Sequence, residues 1–444
     1  MATAKWIGAS LNKRAAYTVT VANTWAQGDT VTITVANVGF VITIGTLVTT
    51  TQVATTIKEA LNGSTLTDTS ASCIPTIADG GGPTVAQLAE LSATSSSAVV
   101  TITTNQSSPA GLMGKPFILT TGDVGSTAGD GTATVASSVT PTSQYHANEV
   151  DNWHLNAVPG TGDTVIFDTG STDMRYQLDL GSITVAQLTK YKAYTGNVGL
   201  ANVNTDNNSK PYPEYRTPTY LTADAMTNCD LEVGPGQGSG RFKLDSGAGA
   251  STFNIYGKGT RAETGVPCIL LIGTSTSNVV RNIAGDVGLA FFGGEAMSLT
   301  TLTTGDGPSS QASTICGSGV TFSSATVTCN GGYLETNSAL ATGVQNGGTW
   351  IHKLGTITSL TVNGGTFLPN GAATVTTLTI GSGGVFDASK GTASFTITNT
   401  IQMYKGSKFL DPQGRTGNVV FKLNGCGPGD VTIVFPAGKT YTLS

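Results

Sequence analysis

Between Gly331 and Phe386 the chain repeats one four-residue phrase: Gly331-Gly332-Tyr333-Leu334, Gly347-Gly348-Thr349-Trp350, Gly364-Gly365-Thr366-Phe367 and Gly383-Gly384-Val385-Phe386. Each copy is two glycines, one variable residue and one large apolar residue. The first glycines are spaced 16, 17 and 19 residues apart. Short alternating runs fill the intervals, as in Ser359-Leu360-Thr361-Val362 and Thr377-Leu378-Thr379-Ile380. Alternation with a period of two marks a strand with one buried face. A repeat just under the usual solenoid period, made of strand pieces and glycine corners, predicts the coils of a right-handed parallel β-helix. One coil cannot bury its own apolar residues. Stacked coils can, with Leu360 and Leu378 piled inside and Thr and Ser outside. Trp350, Phe367 and Phe386 are the expected stacking residues of that core. A β-sandwich with glycine-rich turns is the alternative that the pattern leaves open.

Composition agrees with a mainly β chain. At 444 residues two domains are expected. Charged residues make up 11%, against a usual quarter, and 58 residues are glycine. This suits stacked strands with hydroxyl-coated faces and does not suit a helical enzyme. Val, Ile, Leu and aromatics recur throughout, and a mean hydropathy of +0.07 argues against disorder. The net charge is −5 and the 22 Lys+Arg are scattered, so nucleic acid is not an expected partner. No apolar run approaches the ~20 residues of a membrane helix. The opening Met1-Ala2-Thr3-Ala4-Lys5-Trp6 lacks an apolar signal core, so assembly in a cytoplasm is expected. The six cysteines, Cys73, Cys229, Cys268, Cys316, Cys329 and Cys426, form no CxxC pair and have no neighbouring histidine. Buried free thiols are expected, with one incidental Cys316–Cys329 bridge as the alternative. No metal or cofactor is expected.

Along the chain, residues 1–140 read as a small α+β module. Strand patterns at Tyr17–Val21, Asp29–Val35 and Phe40–Ile44 predict an antiparallel sheet, and others return at Val99–Thr103, Phe117–Thr120 and Thr132–Ala136. One amphipathic helix is predicted at about 50–62. Val53, Ile57, Ala60 and Leu61 share a face, Thr50 or Thr51 can cap its start, and Gly63 can end it. Thr84–Leu91 reads as a shorter helix or as a strand. The boundary falls near Pro141. Residues 141–425 carry the parallel β-helix, with Trp153 as a plug for its open end. The polar stretch Asn202–Pro218 reads as a projecting loop. Residues 426–444, with Val431–Phe435 and Thr440–Leu443, read as a capping hairpin. The helical body holds roughly 15 coils and spans about 70 Å.

Several stretches, taken in order, resemble a family of phage and prophage-type virion proteins. They are Ala4-Lys5-Trp6-Ile7-Gly8 with the module behind it, Val158-Pro159-Gly160-Thr161-Gly162-Asp163, Val233-Gly234-Pro235-Gly236-Gln237-Gly238-Ser239-Gly240-Arg241, Ala262-Glu263-Thr264-Gly265-Val266-Pro267, Ser277-Asn278-Val279-Val280 and Cys316-Gly317-Ser318-Gly319-Val320. The resemblance spans nearly the whole chain. It implies a β-helical particle component and supplies no catalytic residues. With the composition, it gives the leading expectation: a structural virion protein that decorates or cements the capsid exterior, with the major capsid protein or other virion proteins as partners. A homotrimer is expected, because cyclic symmetry packs the flanks of slender solenoids together.

The chemistry-bearing residues are few. His146, His154 and His352 suggest no triad, and no Gly-x-Ser-x-Gly elbow occurs. Gly236-Gln237-Gly238-Ser239-Gly240 lacks the lysine and the helix of a phosphate loop. The rival reading is a tail fibre or tailspike that binds host surface polysaccharide, with or without cleaving it. Cleavage calls for two carboxylates flanking the bond, and Asp230, Glu232 and Asp245, with Arg241 nearby, are the candidates. Solvated turn residues are their plainer reading. Binding alone would use the rings of Tyr212, Tyr215 and Tyr220, which suit sugar faces and protein interfaces alike. No enzyme activity is expected.

Overall fold

The computed structural model describes residues 2–444 apart from 12, 14–15, 36–37, 78–90, 105–117, 123–130, 140–141, 205–211, 214–217, 234–239, 308–309 and 392. The described residues are mainly β, with one α-helix at Thr50–Leu61. A parallel sheet of 26 strands takes up most of the chain. Its strands fall into two ladders, and most pair with the strand two further along. Asn228–Glu232, Thr252–Tyr256 and Met297–Thr304 belong to the first ladder. Phe242–Asp245, Asp286–Leu289 and Ser313–Cys316 belong to the second. The long strand Ile269–Asn282 serves both: its first residues pair with Phe242–Asp245 and its last with Thr252–Tyr256. This is the connectivity of a β-helix-like fold.

The glycine phrase sits where the second ladder turns inward. Leu334, Trp350, Phe367 and Phe386 are each 0% exposed. Register carries them onto one another, Leu334 to Trp350, Trp350 to Phe367 and Phe367 to Phe386. Ring centroids lie 5.4 Å apart for Trp350–Phe367 and 5.5 Å for Phe367–Phe386. Phe409 extends the column. Burying each ring contributes roughly 1.5–3 kcal/mol, and each ring pair about 0.5–1.5 more. The glycines fit the approach of successive turns. Gly348 has φ +68°, and a Cβ there would lie 2.4 Å from the Gly332 carbonyl oxygen. A side chain would collide with the turn before it.

The N-terminal module departs from the single sheet that its pattern predicts. Leu91–Ser96, Val99–Thr104, Ala16–Ala22 and Thr132–Val139 form one four-stranded antiparallel sheet. Ser72–Ile77, Val38–Thr43, Thr30–Val35 and Ile118–Gly122 form another. Their apolar faces and the helix share a core of Val19, Ile33, Phe40, Val53, Ile57, Leu61 and Ile102. One face of each sheet is apolar, and two such faces bury more together than either buries alone. Thr49 caps the helix, one residue before the expected position. Its hydroxyl accepts from the Gln52 amide while Gln52 reaches back to the Thr49 amide. The Thr84–Leu91 segment lies largely outside the described residues, and so does the boundary at Pro141.

Both ends differ from the expected boundaries. Thr3–Lys5 pairs in parallel with Thr164–Phe167, so the first strand joins the large sheet and not the module. The module is therefore an insertion between the first two strands of the ladder. Trp6 and Trp153 explain this: both are buried, edge to face at 5.4 Å, and Trp153 Nε1 donates to the Ala147 carbonyl at 2.8 Å. Trp153 plugs this end with a partner from the N-terminal segment. At the other end no hairpin forms. Thr432–Val434 pairs in parallel with Lys408–Leu410, and Thr442–Leu443 with Val420–Leu423. Phe435, partly buried, and Tyr441, exposed, pack against buried Phe421 there, which favours a further parallel strand over a hairpin.

Candidate functional site

The core is closed, so contact with anything outside depends on the outward residues of the two ladders. On the first ladder, between Met297 and Ile380, nearly all of these carry hydroxyls. Register aligns Thr301, Thr326, Thr342, Ser359 and Thr377 in one column, and Thr303, Thr328, Val344, Thr361 and Thr379 in the next. At the following corner Asn363 donates to Asn346 at 2.9 Å and Asn346 to Asn330 at 2.8 Å. The amides thus form a ladder of their own.

The second ladder is different. Its outward column begins at Lys243 and passes through Leu270, Gly288, Ile315, Glu335 and Ile351 to Leu368. Over the first positions the chain covers it. Lys243 is 2% exposed and lies beneath two rings, with Nζ 4.4 Å from the Tyr220 centroid and 5.4 Å from that of Phe292. The Tyr220 hydroxyl donates to Glu295 Oε1 at 2.5 Å. Glu295 Oε2 accepts from the Phe292 amide at 3.0 Å, which fixes the turn that carries the Phe292 ring and the carboxylate holding Tyr220. Burial first, and then the Glu295 carboxylate, push the Tyr220 phenol far above its usual range. Beside this cluster Arg241 pairs with Glu263 at 3.3 Å and donates to the Gly199 carbonyl. Glu263 also accepts from the Asn202 amide at 3.1 Å. Both feet of the Asn202–Pro218 segment are thereby tied to later turns, one through Glu263 and one through Tyr220.

Tyr220 is therefore not an exposed sugar platform. It is 5% exposed, because its ring shields Lys243 and its hydroxyl is used by Glu295. Tyr212 lies in a two-stranded antiparallel sheet of Val203–Asn204 with Tyr212–Pro213, while its side chain and all of Tyr215 lie outside the described residues. Asp230 and Glu232 sit on the first ladder and Asp245 on the second. Asp230 accepts from Asn228 and Asn254, at 2.6 and 2.9 Å, and Asp245 from the Gly247 amide at 2.9 Å. Local hydrogen bonds hold these carboxylates, and Arg241 serves Glu263 rather than any of them. The Gly236–Gly240 turn lies almost wholly outside the described residues.

The histidines have local partners. His352 is buried between the Thr336 hydroxyl and the Gly355 carbonyl, and burial holds its pKa below the usual value. His146 Nδ1 meets the Ser143 hydroxyl, and His154 Nδ1 accepts from the Lys5 amide. All six cysteines are free, four of them buried, so Cys316 and Cys329 do not bridge. Among the described residues no group of three or more His, Cys, Asp or Glu side chains is placed to hold a metal ion, and no helix is long and apolar enough to cross a membrane. Sequence reasoning missed Lys190, a buried ammonium that donates to the Tyr194 and Glu232 carbonyls at 3.0 and 3.1 Å. It also missed the Lys243–Tyr220–Glu295 cover. Lysine in an alternating strand reads as outward and solvated, and only the turn folded over it buries it. Comparison with known protein families, with curated proteins and with solved structures finds no match.

Proposed function

We propose that the parallel ladders wind as a right-handed β-helix and that the protein is a structural component of a phage particle, placed on the capsid exterior as a decoration or cement protein. Its role is mechanical: the major capsid protein or another virion protein binds one region, and the shaft projects from the shell or bridges neighbouring units. The observation that carries this reading is the continuous inward column from Leu334 through Trp350, Phe367 and Phe386 to Phe409, held by unbroken parallel register. Such a body transmits force along its length, because each turn rests on the next. Copies associate as a homotrimer on this reading. The virion assignment draws on the sequence resemblance and on analogy of fold. Immunogold labelling of purified particles tests it: label spread over the shell is expected, and label confined to the tail tip would overturn it.

A second reading, a tail fibre or tailspike that binds host polysaccharide, draws on the Val203–Asn204 and Tyr212–Pro213 pair, which leaves the ladders between two anchored feet. Glycan-array binding together with reducing-end release from host polysaccharide separates the two readings.

A further inference from the structure

The outward column of the second ladder changes its surroundings halfway along. Upstream the chain covers it, so that Leu270 is 1% exposed beside the Phe291–Phe292 turn. Downstream the column continues in register through half-buried Ile315, Glu335, Ile351 and Leu368, with Glu335 paired to Lys353. After half-buried Asp387 it resumes with Leu410, half-buried, and Val434, 37% exposed. A ladder with one face in water alternates apolar inside with polar outside. The first ladder obeys this with its threonines, Val344 excepted. On the second, five of the seven downstream positions are aliphatic and two, Glu335 and Asp387, are acidic, and aliphatic side chains gathered on an outer face mark a contact surface.

We propose that this column is the surface along which copies of the chain pack side by side. The inference rests on the self-association proposed above and names the surface that performs it. Two features select a second copy as the occupant. The first is pitch: the column runs over seven strands, about 29 Å at the ~4.8 Å ladder step, and a partner with the same ladder matches it rung for rung. The second is charge. Register sets Lys408 against Val385 and Leu410 against Asp387, so one chain offers both signs on neighbouring rungs of the strip. A one-rung offset between copies brings the ammonium of one beside the carboxylate of the next, which fixes the stagger.

Light scattering coupled to size exclusion of the full chain tests this. Leu368→Asp is compared with Thr361→Asp on the hydroxyl flank, and circular dichroism checks that each variant is folded. The wild type and Thr361→Asp are expected to run at oligomer mass and Leu368→Asp at monomer mass. If Leu368→Asp does not fold, a milder pair decides. In a Cys73→Ser/Cys426→Ser background, a bis-maleimide is expected to join copies through Leu368→Cys and not through Thr361→Cys. An oligomer that survives Leu368→Asp, or that fails to cross-link through Leu368→Cys, overturns the column and leaves self-association standing. A monomeric wild type overturns both.

Discussion

Phe386 and Phe409 lie on successive strands of the second ladder with ring centroids 5.3 Å apart and planes only 2° from parallel. Phe386 also meets Phe367 above it and Phe395 beside it, at 5.5 Å each. Its truncation leaves a void with aromatic walls on three sides, and close-packed turns cannot collapse to fill it. Phe386→Ala is expected to cost about 3–5 kcal/mol, measured by equilibrium denaturant unfolding. A loss under ~1 kcal/mol would mean that the column does not bear the load assigned to it.

Gly348 offers a test of the turns independent of the core. Its positive φ and the 2.4 Å approach to the Gly332 carbonyl both exclude a side chain. Gly348→Ala is expected to destabilise by roughly 1–3 kcal/mol. Gly417 has open space around the Cβ position, so Gly417→Ala is expected to stay within about 0.5 kcal/mol. Thermal melts of the two variants should separate clearly.

The mainly β character and the stacked parallel strands were legible in the sequence, and the reason is local. The repeat Gly-Gly-x-apolar encodes a turn that needs glycine and an inward position that needs bulk, so one phrase specifies both corner and core. Leu360 over Leu378 and Trp350 over Phe367 follow from counting residues. The ends were not legible. Thr3–Lys5 is three residues with no pattern of its own, and its partner strand begins at Thr164. Only the match of Trp6 to Trp153, across the whole module, identifies its place. The Tyr220 position was misread for a related reason. Its surroundings come from residues 23 and 75 positions later, Lys243 and Glu295, and no local spacing encodes such contacts.

Lys190 gives a pH signature. Burial lowers its pKa from 10.5 to about 8, with the Glu232 charge opposing part of the shift. Below about 8 both folded and unfolded chains hold the proton, and the cost of burying the ammonium is fully present. Between about 8 and 10.5 the unfolded chain holds the proton and the folded chain releases it, so this residue's contribution to stability rises with pH. Lys190→Met keeps the stem and removes the titration. Its melting temperature is expected to lose this rise across the window while the wild type keeps it. Parallel pH profiles would refute the assignment.

The last prediction concerns the cover over Lys243. Tyr220 contributes a ring to the ammonium and a hydroxyl to Glu295, and the two contributions can be separated. Tyr220→Phe keeps the ring and leaves Glu295 Oε1 without its donor, an expected loss of about 1–3 kcal/mol. Tyr220→Leu removes the ring as well, and about 0.5–2 kcal/mol more should go with the cation–π contact. Glu295→Gln keeps an acceptor but removes the charge, so its own loss should be smaller than that of Tyr220→Phe. The double variant Tyr220→Phe/Glu295→Gln is expected to be less destabilised than the sum of its parts, with a coupling of roughly 0.5–3 kcal/mol by denaturant unfolding. Additive losses would show that the hydroxyl and the carboxylate act apart, and the fixed feet of the Asn202–Pro218 segment would then need another anchor than Tyr220.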